Sequence, residues 1–357
     1  MKLSSLVHDR DNNFNLIRIT AAFAVLCSHS FLSVTGTYEP LTASLGMTLG
    51  SIAVDIFFIT SGFLVTSSLI SRNSSVDFVC ARVLRIYPAL VVMVTVSVIA
   101  LGLFFSSFSL LSFLACSETH VFVLKNMTLF FGVAHTLPGV FDSIPYGRAV
   151  NGSLWSMPAE IRLYAILLIL WLIPSISNHF KIKAFPFSLS ILVFAASSFV
   201  MHFSNYFYFH SANQSYRLLY MFFTGATYFV LKERIMLSNG MFWLTITGLI
   251  ISALNKEIFF CLYNILLAYI VFWLAYVPAG AVRDFNRFGD YSYGVYIYAS
   301  PIQQSFAALV PGISVQFMIL TSSIVTFFIA FLSWHLVEKR ALRFKSPRTS
   351  GAASYIV

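Results

Sequence analysis

Charge is what this sequence has least of. Only 10% of its 357 residues are charged, while 58% are hydrophobic. Soluble domains carry about a quarter charged residues, so a soluble globular class is excluded and a polytopic membrane protein is expected. Cysteine is scarce too. Cys27, Cys80, Cys116 and Cys261 show neither disulfide nor metal spacing, so no disulfide framework and no metal site are expected from them. Acids are outnumbered, 13 against 22 Lys and Arg, for a net charge of +9. The bases form no single patch; they recur between apolar runs, which is the pattern of cytoplasmic loops and argues against a nucleic-acid partner. There is no internal repeat and no low-complexity segment. No small-residue cleavage site follows the first apolar run, which is therefore expected to be a retained span rather than a signal peptide.

What is present is a series of apolar runs of bilayer length. Ten spans are expected, at about 14–34, 45–70, 86–108, 153–174, 186–204, 214–231, 236–254, 258–278, 290–310 and 313–337. A run at 119–135 carries Lys125, Asn126 and His135 and is expected to be interfacial or re-entrant. With an inside N-terminus, 17 of the 22 Lys and Arg fall in cytoplasmic positions. Both termini are accordingly expected in the cytoplasm. The whole is expected to be one all-α integral-membrane domain over 1–345, with a short cytoplasmic tail at 346–357.

Against that apolar background a few polar residues stand out. The first run opens Asn13-Phe14-Asn15-Leu16-Ile17-Arg18 and continues to Cys27-Ser28-His29. Ionisable groups inside a spanning helix are costly and are functional candidates by default. Arg18 and His29 lie eleven residues apart. That is about three turns, so they share a face, roughly 16 Å apart, and are expected to line one cavity. His29 alone has the blander reading of a core histidine. Arg18 binds the donor or pairs with a carboxylate; the sequence does not separate these.

The second run holds Asp55, and Ser61-Gly62 about two turns further. A small residue there admits either a ligand or a neighbouring helix. Arg82 and Arg85 are three apart, so on a helix they are neighbours and make a phosphate clamp, or ordinary loop charge. Asn151 to Glu160 follows, with Pro158 suited to a first helical turn. Glu160 is expected at the depth of His29, so that a carboxylate, Glu160 or Asp55, orients a general base. Later come a run of four tyrosines from Tyr291 to Tyr298, then Gln303 and Gln304, and a closing Trp334–Arg340 stretch.

In this order the motifs resemble the acyltransferase 3 family of membrane-bound O-acyltransferases, over about residues 14–345. Arg18 and His29 match its Arg-x10-His, and Val54 to Leu64 its Val-Asp-x-Phe-Phe-x-x-Ser-Gly-Phe-Leu. Arg82 and Arg85 match its Arg-x-x-Arg, and Ser153 to Glu160 its Ser-Leu-Trp-Ser-x-x-x-Glu. Ser292–Pro301 and Val337-Glu338-Lys339 match its closing motifs. One departure is Ala299, where many members have histidine; Tyr296 and Tyr298 are the candidate substitutes. No appended extracytoplasmic hydrolase-like domain is expected.

The resemblance implies transfer of an acetyl group from acetyl-CoA to a sugar hydroxyl of a bacterial surface glycan, at the bacterial inner membrane. The implied catalytic residues are His29, Glu160 and Asp55. The implied donor site is Arg82, Arg85, Arg18, Ser61 and Gly62. No metal is implied. A transporter of a small anionic or sugar-like solute explains the intramembrane charges as well, but not the ordered motifs. A non-catalytic assembly factor is a third class, which dispensability of His29 would favour.

Overall fold

A computed structural model describes residues 1–7, 11–179, 186–209 and 213–345. Among these the chain is all-helical, with no strand longer than an isolated bridge. The helices are α1 (Phe14–Thr35), α2 (Leu49–Arg72), α3 (Ser75–Phe104), α4 (Ser117–Thr128), α5 (Met157–His179), α6 (Phe187–Phe207), α7 (Gln214–Val230), α8 (Asn239–Ser252), α9 (Lys256–Tyr276), α10 (Ser292–Leu309) and α11 (Val315–Ser333). The connections between them carry shorter helices, such as Leu41–Leu45 and Leu110–Ala115, and a longer stretch at 129–151. Among the described residues, seven helical segments are long and apolar enough to cross a membrane. Of the other expected runs, α7 and α8 are shorter, with 17 and 14 residues, and α10 carries buried polar positions along its length. The expected tail at 346–357 lies outside the described residues.

Helix ends follow local chemistry. Thr48, Ser74, Ser238, Asn255 and Ser314 each accept a first-turn backbone N–H, satisfying donors that helices leave open. The 30-residue α3 starts at Ser75, a full three turns before the expected boundary at 86. The Ser74 cap explains the early start, and it puts Arg82 and Arg85 inside the helix rather than in a loop. The 119–135 run is helical only as far as Thr128, where α4 ends and Leu129 turns into the left-handed region with φ 58°.

Two features position the site. First, α2 and α7 cross in close contact. A Cβ on Gly62 would lie 1.9 Å from the Phe222 carbonyl oxygen, and one on Gly225 2.0 Å from that of Ile59. Gly62 is therefore a packing notch for a helix, and its bare face offers no surface to a donor. Second, the segment before α5 dips into the bundle. Its buried turn Gly152–Ser156 lies against α10. Asn151 Nδ2 donates to the Ile297 carbonyl (2.8 Å), the Gly152 N–H to Ser300 Oγ (3.0 Å), and Gln304 Nε2 to the Ala149 carbonyl (2.6 Å). Gln303 Nε2 reaches the Leu26 carbonyl and Ser30 Oγ on α1, each at 2.7 Å. These amides are the partners that an irregular buried segment and tightly packed helices need away from water.

At the end of the bundle that holds Arg18, Asn13 Nδ2 donates to the Leu274 and Pro278 carbonyls, joining α1 to α9. Met1 and Leu3 join the 235–237 connection at the same end. An aromatic cluster of Phe14, Phe63, Phe272 and Tyr276 fills the space behind them.

Candidate active site

At the Arg18 end, carboxylates meet arginines. Arg18 Nη1 lies 2.8 Å from Asp290 Oδ2, and Arg85 Nη2 lies 2.6 Å from the same oxygen. Arg85 Nη1 reaches Glu338 Oε2 at 3.1 Å. Ser292 donates its hydroxyl and its N–H to the other Asp290 oxygen, and Ser333 Oγ donates to Glu338. Glu338 is delivered by a π-helical turn, Trp334–Glu338, that continues α11; such turns recur at functional sites because they redirect one side chain. Aromatic faces complete the setting: Arg18 lies over Phe57, and Arg85 over Tyr293 and Trp334. Arg18 and Arg85 are thus both engaged by carboxylates, Arg18 through one nitrogen and Arg85 through two.

Arg82 differs. Among the described residues no carboxylate pairs with it, and its Nε is buried without a partner. Its Nη2 lies 3.5 Å from Ser68 Oγ, which also accepts from Arg72 Nε at 3.3 Å. Its guanidinium lies over Tyr164 and Phe78. The expected side-by-side clamp is therefore asymmetric: one arginine committed to carboxylates, one not.

Glu160 is not beside His29, contrary to expectation. It accepts the Tyr164 hydroxyl and that of Ser61 (3.3 Å), with Ser61 and Tyr164 3.0 Å apart. The buried 3-10 turn Gly152–Ser156 leads directly into α5, so Glu160 falls in that helix's first turn and meets Ser61 of α2 and Tyr164. Asp55 faces elsewhere too. It is fully buried, accepts the Tyr263 hydroxyl at 2.8 Å, and pairs with Arg217 Nε at 3.2 Å.

His29 lines a cavity of about 380 Å³ with Ser28, Tyr38, Gly152, Trp155, Arg217 and Tyr296. The carboxylate charge acting on its ring is that of Glu39. Glu39 is 6% exposed and accepts from Ser28 Oγ at 3.0 Å and from the Leu49 N–H. Sequence reasoning missed Glu39. The available signal was that it is the only acid between α1 and α2, on the connection nearest to His29. Tyr146 also lines the cavity; outside the helices, its burial and the neighbouring Tyr38 push its hydroxyl pKa up, keeping it a neutral donor.

A second, narrower cavity of about 40 Å³ is lined by Arg18, Phe57, Ser156, Glu160, Tyr293 and Tyr296. Arg18 and His29 therefore line two cavities, not one. The two share Val54 and Tyr296 as common wall. The Tyr296 hydroxyl lies 2.7 Å from Ser156 Oγ. Tyr296 thus stands between the arginine end and the histidine end, while Ala299 is buried at 2% exposure. Among the described residues, no group of His, Cys, Asp and Glu is arranged to hold a metal.

An apolar helical bundle with buried arginine, histidine and carboxylate groups around two adjoining cavities defines a multi-pass membrane protein with an internal polar site. Residues 11–336 match the model of an acyltransferase domain, and the chain belongs to that acyltransferase 3 family. It is a membrane acyltransferase. It is 31% identical to a protein of Shigella phage Sf6 named O-acetyl transferase, over 96% of this chain and 99% of that one. It is 27% identical to Nodulation protein 10 of Rhizobium leguminosarum bv. viciae, over 94% of each. No solved structure matches it.

Proposed function

We propose that the protein moves an acetyl group from cytoplasmic acetyl-CoA to a hydroxyl of a surface carbohydrate, such as an O-antigen or exopolysaccharide, at the bacterial inner membrane. The observation that carries this reading is the pair of cavities meeting at Tyr296, one walled by Arg18 and Glu160, the other by His29. The name of the phage relative supports acetyl transfer to oxygen.

In this reading the Arg18 end faces the cytoplasm. Arg82, whose Nε has no partner and which no salt bridge holds among the described residues, is the first cation to take a donor phosphate, with the Glu160 charge and the Tyr164 hydroxyl nearby. Arg85 and Arg18 join it by exchanging Asp290 and Glu338 for phosphate oxygens. The acetyl end lies along the narrow cavity toward Tyr296. On the far side His29 takes the proton from the acceptor hydroxyl as its oxygen attacks the thioester carbonyl. The C–S bond then breaks, and coenzyme A leaves as the thiolate. Glu39 stabilises the imidazolium that forms, the part first assigned to Glu160 or Asp55.

The test is mass analysis of surface polysaccharide from cells with the gene, without it, and with His29→Ala at equal membrane levels. Acetyl groups should appear only in the first. Near-normal acetylation with His29→Ala would remove His29 from the chemistry.

A further inference from the structure

Arg217 stands in the wall of the His29 cavity without a role in the transfer just described. Its Nε faces Asp55, whose second oxygen is occupied by Tyr263. Its Nη2 is buried and has no hydrogen-bond partner among the described residues. A buried, half-used guanidinium is expensive unless something completes it. Behind it opens a further cavity of about 120 Å³, which shares Arg217 and Gln214 with the His29 cavity. Its walls are aromatic: Tyr206 and Phe260 stack at 3.7 Å, and Phe259 and Tyr263 stack at 5.6 Å. A second cation, Lys256, lies on its rim, and His202, held by Asn264 at 3.1 Å, lies within it. Among the described residues no acid lines this cavity; Asp55, which pairs with Arg217, already has two partners, and Glu257 lies near Tyr206.

We propose that Arg217 and Lys256 form an oxyanion-binding subsite that holds a charged group of the acceptor, a sugar carboxylate or a phosphate, beside His29. The inference rests on the acetyl-transfer reading for the word acceptor, but its binding test does not need transfer. A guanidinium offers a planar pair of donors that fits a carboxylate or phosphate oxygen pair, and Lys256 supplies a second point charge. The aromatic walls suit the apolar face of a sugar ring. Two cations here would select a charged glycan over a neutral one by affinity, leaving the chemistry to His29.

The full-length protein in detergent would be heated with methyl glucuronide, glucose 1-phosphate or methyl glucoside. One or both anions should raise the unfolding temperature, and the neutral glucoside should not. Which anion acts tells carboxylate from phosphate. The rise should vanish in Arg217→Gln, shrink in Lys256→Gln and persist in Arg217→Lys. Because Arg217→Gln leaves Asp55 unpaired, the double variant Arg217→Gln with Asp55→Asn repeats the test with neither charge; it should fold and still show no rise. Equal shifts with glucoside, or anion shifts unchanged by Arg217→Gln and by the double variant, overturn the subsite. Anion binding with no glycan acetylation in cells would instead count against the acetyl-transfer reading and leave the subsite standing.

Discussion

His29, Glu39 and the two arginines each ask for a different experiment. A sugar hydroxyl is a poor nucleophile near neutrality, so loss of a general base costs about 10²–10⁴-fold. His29→Ala should therefore abolish acetylation at normal expression. Glu39→Gln should impair it less: the amide oxygen still accepts from Ser28, but the charge next to the ring is gone. Equal activity of Glu39→Gln and wild type at matched levels would return Glu39 to a loop-holding role. On the donor side, Arg82→Ala should weaken acetyl-CoA binding roughly tenfold or more, because a charge-assisted contact contributes about 1.5–3 kcal/mol. Arg85→Ala is a different case. It strips Glu338 of its arginine and Asp290 of one of two, so unfolding temperature should fall along with donor affinity. Removing one partner of a buried pair typically costs about 3–5 kcal/mol. A stable Arg85→Ala protein with unchanged donor affinity would contradict both assignments.

At the scale of elements, the α2–α7 crossing makes the sharpest prediction. Gly62→Ala places a methyl within 1.9 Å of the Phe222 carbonyl oxygen, and backbone cannot step aside as a flexible side chain can. The variant should lose roughly 1–3 kcal/mol, the usual cost of overpacking, seen as a lower unfolding temperature or lower membrane yield. Gly240→Ala, where a Cβ meets nothing within 4 Å, is the control and should behave as wild type. The sequence offered two readings of Gly62, ligand or helix, and could not choose. Only the arrival of Phe222, 160 positions away, decides it. The polar residues of α10 were legible as something beyond an aromatic belt. What they hold, the buried turn at 152–156 and the Leu26 carbonyl, was not, because it belongs to other elements.

For the whole molecule, the sidedness of the bundle is the open expectation. Reporters fused after Lys345 and inside the 129–151 connection should report opposite sides of the membrane. The same side for both would sink the ten-span arrangement and the assignment of donor and acceptor ends. Sequence alone located the apolar helical runs, though not the start of α3, the order of the motifs, and most of the unusual polar residues, though not Glu39. Hydropathy and capping act over a few neighbouring residues, and every one of those properties is local. The tertiary structure decided who meets whom. Arg18 and Arg85 converge on Asp290, which follows them by 272 and 205 positions. Glu160 sits with Ser61, 99 positions before it, instead of with His29. Helix periodicity fixes which face a residue occupies, but depth and partner depend on where each chain segment turns. Here a buried 3-10 turn leads into α5, Glu160 meets Ser61 and Tyr164, and Glu39 is the carboxylate held by the histidine's neighbour Ser28.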